Sequence, residues 1–185
     1  MTEKFEEKTI SRDVIYDGAV VHLVRDKVEL PDGREAFREL VFHRGAVGIF
    51  AVTKEEKIVL VRQFRKALEK SILEIPAGKI EEGEEDYQKV AEREFEEETG
   101  YQSQEMNLIT SFITSPGISN EKLYLYEAKD FHQVDNPLPQ DDDEFLEIVE
   151  LSFSEAEEKM ATGEICDAKT IYAMLYWQQR IEGQK

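Results

Sequence analysis

The chain has 185 residues, 41 of them acidic and 23 basic, for a formal net charge of −18. That balance excludes nucleic acid or an anionic membrane as a main partner, since both demand positive patches, and leaves any anionic substrate in need of local Arg, Lys or metal ions. A hydrophobic share of 41% supports one ordinary domain, alone or with a small appendage, and the lack of a long apolar run or signal peptide predicts a soluble cytoplasmic protein.

The first 43 residues read as short strands: Ile10 to Tyr16, a turn at Asp17-Gly18, Ala19 to Leu30, a turn at Pro31-Asp32-Gly33, then Ala36 to His43. Three strands alone enclose a poor core, so this sheet must cover another surface. Within it Arg38 and Glu39 read as members of an exposed strand pair with cross-strand salt bridges. Two apolar runs, AVGIFAV and KIVLVRQF, flank a charged turn at 53–57 and predict a hairpin of central strands. The basic cluster Arg62-Gln63-Phe64-Arg65-Lys66 follows. It is either an exposed strand end or the place where an acidic protein keeps an arginine for a phosphate. Ile72 to Gly78 is the next strand, and Glu74, set among apolar neighbours, is a candidate for orienting a ligand.

The densest signal is GKIEEGEEDYQKVAEREFEEETGY, Gly78 to Tyr101. Its second half predicts a helix with Asp86 as N-cap and Gly100 just past its end. At roughly 100° per residue, Tyr87, Val90, Ala91 and Phe95 share one face, and Glu94 and Glu98 fall inside that stripe. Glu97 lies at its edge, Arg93 just beyond, and Glu92 and Glu96 point to water. Carboxylates on the buried side of a helix are costly unless they are protonated or bind a cation. A hard divalent ion such as Mg²⁺ takes oxygen ligands and reaches phosphates as well. A merely solvated acidic face explains Glu92 and Glu96 but not Glu94, Glu97 and Glu98.

Beyond the helix, Leu108 to Thr114 and Lys122 to Lys129 are strands, the latter with Tyr124 and Tyr126 on one face. Between them, Ser115 to Glu121 reads as a Pro-Gly turn. Asn136 to Glu144 is an acidic, proline-bearing loop before a strand from Phe145 to Leu151. Ser154 and Glu157 form a capping box for a helix that stops at Gly163. Asp167 caps a last helix with Ile171, Met174, Leu175 and Ile181 on its apolar side. Cys166 is the single cysteine; it allows no intrachain disulfide and reads as a packed thiol in a reducing compartment. The three histidines show no metal spacing. From these elements the fold is α/β, a mixed sheet flanked by helices after a small N-terminal sheet.

The Gly78–Tyr101 stretch resembles the signature box of the Nudix hydrolases, G-x5-E-x7-R-E-U-x-E-E-x-G-U, where U is bulky and apolar. Here the positions are Gly78, Glu84, Arg93, Glu94, Phe95, Glu97, Glu98, Gly100 and Tyr101. Eight residues rather than seven separate Glu84 from Arg93, so the first glutamate is either Glu84 or Glu85. Pro116, sixteen positions after Gly100, and the segment FRELVFHRGAVGIF extend the resemblance to the ADP-ribose pyrophosphatase subfamily.

The resemblance implies a Nudix α/β/α sandwich over residues 44–185, preceded by an antiparallel N-terminal sheet over residues 1–43 that is exchanged between subunits of a homodimer. It implies hydrolysis of ADP-ribose to AMP and ribose 5-phosphate, or of another nucleoside diphosphate derivative such as a nucleotide sugar. Glu94, Glu97, Glu98 and the carbonyl of Ala77 would hold Mg²⁺, or Mn²⁺ in its place, and Arg93 would orient the glutamates. Arg65 would meet the substrate diphosphate, and Arg38 and Glu39 its adenosine part. Glu144 best matches the family's catalytic base, with Asp142 and Glu121 as alternatives. A non-catalytic ADP-ribose sensor and an acidic interaction protein are the rival classes; neither accounts for the intact spacing of the glutamates.

Overall fold

The computed structural model describes residues 4–140 and 144–183. The chain forms two compact units: one runs through Gly45 and includes Ile113–Lys122, the other comprises Ala46–Phe112 and the chain from Leu123 onward. The ten residues at 113–122 thus go with the N-terminal strands, beyond the expected segment of residues 1–43.

In the first unit β1 (Lys8–Asp17), β2 (His22–Glu29) and β3 (Glu35–Phe42) form an antiparallel sheet in that order. The β2–β3 turn closes where Gly33, at φ 85°, donates its N–H to the carbonyl of Leu30 at 2.9 Å. Along β2, Val24, Asp26 and Val28 are buried in strict alternation. Asp26 is tolerated there because Arg12 grips both its oxygens at 2.7 Å. That hydrogen-bonded guanidinium also holds the Asp26 carboxyl below its ordinary range. Every residue of β1, by contrast, is exposed.

The second unit holds two sheets between helices. One has the order β7 (Ala77–Lys79), β4 (Ala46–Ala51), β10 (Lys122–Lys129), β9 (Glu105–Ile113), with β4 and β10 parallel. The other has the order β12 (Glu147–Ser152), β5 (Lys57–Arg65), β6 (Lys70–Glu74), all antiparallel. Short strands β8 (Tyr101–Gln102) and β11 (His132–Gln133) pair separately.

Alternation along the central strands sends side chains to two cores. Val47, Ile49, Ala51, Val59 and Tyr126 pack with Val90, Ala91 and Phe95 of α1 (Tyr87–Thr99). Phe50, Ile58, Leu60, Leu123 and Leu125 pack with Ala156 of α2 (Phe153–Thr162) and Ala173, Met174 and Trp177 of α3 (Ala168–Gly183). Both faces of the strands are therefore buried, which is why their sequence reads as continuous apolar runs. The result is an α/β/α sandwich. No helix among the described residues is long and apolar enough to cross a membrane.

The caps of α1 are as expected: Asp86 accepts the N–H of Lys89, and Gly100 sits at φ 69°. Several expectations are corrected. β4 and β5 are not a hairpin; they join different sheets, and a single isolated bridge links Val52, the residue after β4, with Ile58. Runs that are apolar on both faces do not encode their neighbour: β4 pairs with β7 and β10, and β5 with β6 and β12. The expected strand from Ile72 to Gly78 breaks at Ile75-Pro76, where the chain passes from one sheet to the other. The capping box is Ser152 and Glu155, not Ser154 and Glu157. The same S-x-x-E spacing occurs twice, and burial of Ala156 with Phe153 edge-on to Trp177 selects the earlier one. Leu175 is 51% exposed, because the buried stripe of α3 runs through Thr170, Ala173, Met174 and Trp177. Cys166 is exposed, since the bent link into α3 buries its neighbour Ile165 instead.

Candidate active site

The crossover at Ile75-Pro76 creates the site. Proline has no N–H for a ladder, but its carbonyl accepts the N–H of Ile49 at 2.8 Å, and Ile75 donates to Thr170 Oγ1 at 3.0 Å. Anchored on both sides, the chain turns the N–H of Ala77 toward α1, where it donates to Glu98 Oε2 at 3.0 Å. Glu94 lies across Gly78. A Cβ added at Gly78 would stand 1.8 Å from the Glu94 carboxyl carbon, so only glycine admits this approach.

Arg93 serves three carboxylates: Glu97 at 2.7 Å, Glu94 at 2.9 Å and Glu84 at 3.3 Å. Glu84, not Glu85, therefore pairs with the box arginine. The extra residue of the preceding loop is absorbed in a turn, where Glu84 also accepts the N–H of Glu81 at 2.7 Å. Glu96, expected to face water, instead accepts the side-chain amide of Gln102 and the N–H of Leu138.

Negative charge exceeds positive charge here. Burial pushes the Glu98 carboxyl up to about 8; the Ala77 N–H opposes, while Glu144 and Glu94 add to the rise. Burial likewise pushes Glu94 up to about 7, against Arg93 and together with Glu97 and Glu144. Both groups thus feel the charge of Glu144, which places that residue in the same electrostatic cluster. Asp142, the alternative base on this loop, lies outside the described residues.

Arg65, at the end of β5, donates through Nε to Glu74, which is 2% exposed. Burial disfavours its charge, but the Glu74 hydrogen bond and the fields of Glu74, Glu98 and Asp167 outweigh that, and its pKa is raised. Lys169 of α3 holds the other oxygen of Glu74 and also reaches Asp167 Oδ2 at 3.1 Å. Lys169 received no role in the sequence reading, and Asp167 only that of a cap. The one signal pointing to them was a glutamate inside an apolar strand.

Among the described residues no three His, Cys, Asp or Glu side chains stand ready as a metal cage. Glu94 and Glu97 are drawn onto Arg93 and Glu98 onto Ala77. Even so, the donor set is all oxygen, its net charge is negative, and two of its members, Glu94 and Glu98, resist ionisation because burial takes them out of water and neighbouring carboxylates repel them. These properties fit a hard divalent cation.

The other three predicted residues belong to the first unit. Arg38 donates through Nε to Glu7 at 2.8 Å, and Glu39 is exposed on β3 opposite Arg25. Glu121 accepts the hydroxyl of Thr114 at 2.5 Å and stands 3.6 Å from His43 Nδ1. A cavity of about 620 Å³ lies where β5 begins, lined among others by Glu56, Asp130, Trp177 and Arg180. It contains none of the clustered carboxylates, and β5 ends at Arg65, away from it; the chemistry assigns the site, not the cavity.

Two family profiles match the chain. One, described as NUDIX domain, covers residues 42–173. The other, described as Nucleoside diphosphate sugar hydrolase N-terminal domain, covers residues 7–41. The chain is 49% identical over 178 residues, 96% of each chain, to the methanol dehydrogenase activator of Bacillus methanolicus. It is 44% identical over 185 residues to the ADP-ribose pyrophosphatase of Bacillus subtilis, covering 99% of this chain and 100% of that one. A crystal structure of an ADP compounds hydrolase superposes with a TM-score of 0.83 at 19% identity, over 97% of this chain and 96% of the other, which shows the shared fold.

Proposed function

The chain belongs to the Nudix hydrolase family, and from that premise we propose that it hydrolyses the diphosphate of ADP-ribose, releasing AMP and ribose 5-phosphate. The observation that carries this reading is the meeting of Glu98 with Ala77 and of Glu94 with Gly78, inside the field of Glu144. The end-to-end likeness to a relative named ADP-ribose pyrophosphatase supports this choice of substrate.

Glu94, Glu97, Glu98 and the Ala77 carbonyl would hold Mg²⁺, with Mn²⁺ as a substitute. Such an ion, when bound, offsets phosphate charge and lowers the pKa of a coordinated water. Arg93 spaces the glutamates and keeps their mutual repulsion in check. Arg65 presents its guanidinium to a phosphate oxygen. Glu144 takes the proton of the attacking water.

Arg38 and Glu39 contribute to the adenosine pocket in a homodimer whose contact includes the N-terminal sheet, and Glu121 stands as a further substrate-binding residue and, with Asp142, as an alternative base. Support for the dimer comes from β1, where Ile10, Val14 and Tyr16 are 50%, 58% and 61% exposed, and from Phe37 at 59%. The single cysteine suits a reducing cytoplasm as its setting.

A second reading, hydrolysis of a nucleotide sugar, is favoured by the description of the profile that matches residues 7–41. Steady-state kinetics with Mg²⁺ on ADP-ribose, a nucleotide sugar and an oxidised nucleotide separates the two. ADP-ribose should have the highest kcat/KM. A higher value for the sugar supports the second reading, and no turnover of any of them rejects both.

A further inference from the structure

Glu74 is buried and has one cation on each oxygen: Arg65 through Nε on Oε1, Lys169 through Nζ on Oε2. Lys169 is itself 12% exposed and is held by Asp167, whose Oδ2 also accepts the N–H of Thr170 at the start of α3. Asp167 Oδ1 is buried without a partner among the described residues. The charges therefore alternate from the start of α3 to the end of β5: Asp167, Lys169, Glu74, Arg65, with Glu98 the next charge that Arg65 feels.

The detail that matters is how Glu74 holds Arg65. An arginine and a carboxylate left to themselves favour a fork, two parallel N–H···O bonds that use both oxygens. Lys169 has taken one of those oxygens, so the hydrogen bond from Arg65 to Glu74 runs through Nε alone. Among the described residues both Nη groups of Arg65 are left without a hydrogen-bond acceptor.

We propose that Lys169 is a positioning residue that blocks the fork between Glu74 and Arg65, and so keeps the Nη edge of Arg65 open to a substrate phosphate. This rests on the reading of Arg65 as a diphosphate ligand. Without the ammonium, Glu74 is free to rotate onto Arg65 with both oxygens and compete with the substrate for the same N–H groups. The loss then falls on substrate binding, because the glutamates on α1 and Glu144 are untouched.

The test is a set of variants assayed on ADP-ribose with Mg²⁺, each first checked by circular dichroism for a native thermal transition. Lys169→Met should raise KM by roughly tenfold, the worth of about one charge-assisted hydrogen bond, with kcat nearly unchanged. Lys169→Arg, which keeps a cation on Glu74, should stay near wild type. In Lys169→Met combined with Glu74→Gln, KM should move back toward wild type, since the neutral amide no longer competes as an anion. A merely structural Lys169 would make the double variant worse than the single one, and that result overturns the proposal. An unchanged KM in folded Lys169→Met overturns it as well. Arg65→Ala is the control: if it raises KM and Lys169→Met does not, only the positioning role fails, whereas if neither raises KM the phosphate role of Arg65 fails with it.

Discussion

Glu98 Oε2 accepts the backbone N–H of Ala77 at 3.0 Å, fixing the last glutamate of the α1 stripe on the turn into β7. The bond ties the most buried carboxylate of the cluster to the same residue whose carbonyl is the fourth proposed metal ligand. Glu98→Gln keeps the shape and the acceptor but removes the charge. Activity should fall at least about a hundredfold, while the metal-free protein should be no less stable, because the cost of burying a charge there and its repulsion with Glu144 and Glu94 are relieved. Kinetics and thermal denaturation of the purified variant check both halves.

The same burial predicts how stability varies with pH. Glu98 titrates at about 8 and Glu94 at about 7 in the folded chain, against an ordinary 4.5. Between those limits the folded state holds more protons than the unfolded state, so stability falls as pH rises. Their contribution is complete below the ordinary value and is lost as pH passes through the raised ones. Metal-free wild type should therefore lose more thermal stability than Glu98→Gln on going from about pH 5 to about pH 8.5. Parallel pH profiles for the two proteins would contradict the assignment.

Gly78→Ala isolates geometry from charge. The new Cβ meets the Glu94 carboxylate, the far end of a flexible side chain, so the fold should survive while the carboxylate is displaced. A loss of activity of about tenfold or more with a stability change below about 1 kcal/mol is expected. A variant with wild-type kinetics would mean that the position of Glu94 over Gly78 is irrelevant to turnover.

How much of this was legible beforehand differs between the helix and the sheets. The α1 stripe was readable because a 3.6-residue period and two terminal caps act locally: Asp86, Phe95, Glu98 and Gly100 stand as read. Strand partners were not readable for β4 and β5, since runs buried on both faces carry no alternation from which to choose a neighbour. The break at Pro76 was visible in the sequence, but its outcome, a crossover between sheets that aims Ala77 at Glu98, depends on Thr170 far along the chain. Lys169 was illegible for the same reason; its partner Glu74 lies in another element, and no spacing links them.

The base is open to direct comparison. Glu144→Gln should lower kcat more than substrate affinity, by roughly 10²–10⁴. Glu121, which accepts the Thr114 hydroxyl in the other unit, should matter less when changed to Gln. The reverse ranking, read from the two kcat values, would move the base to the segment around Pro116.

The N-terminal strands bear on assembly. Deletion of residues 1–43 removes the exposed apolar side chains of β1 together with Arg38 and Glu39. The truncated protein should be monomeric or aggregate and should lose ADP-ribose affinity, although its glutamates remain. Light scattering that shows a full-length monomer at a concentration where the enzyme is active would rule out the dimer.

The central claim is a metal-dependent hydrolysis of one diphosphate by the α1 glutamates. ³¹P NMR of ADP-ribose incubated with the protein follows it directly. With Mg²⁺ the diphosphate signals should give way to two phosphate monoesters in equal amounts, AMP and ribose 5-phosphate, and excess chelator should stop the conversion. Undiminished conversion in chelator, or an intact diphosphate in the presence of Mg²⁺, would contradict the account.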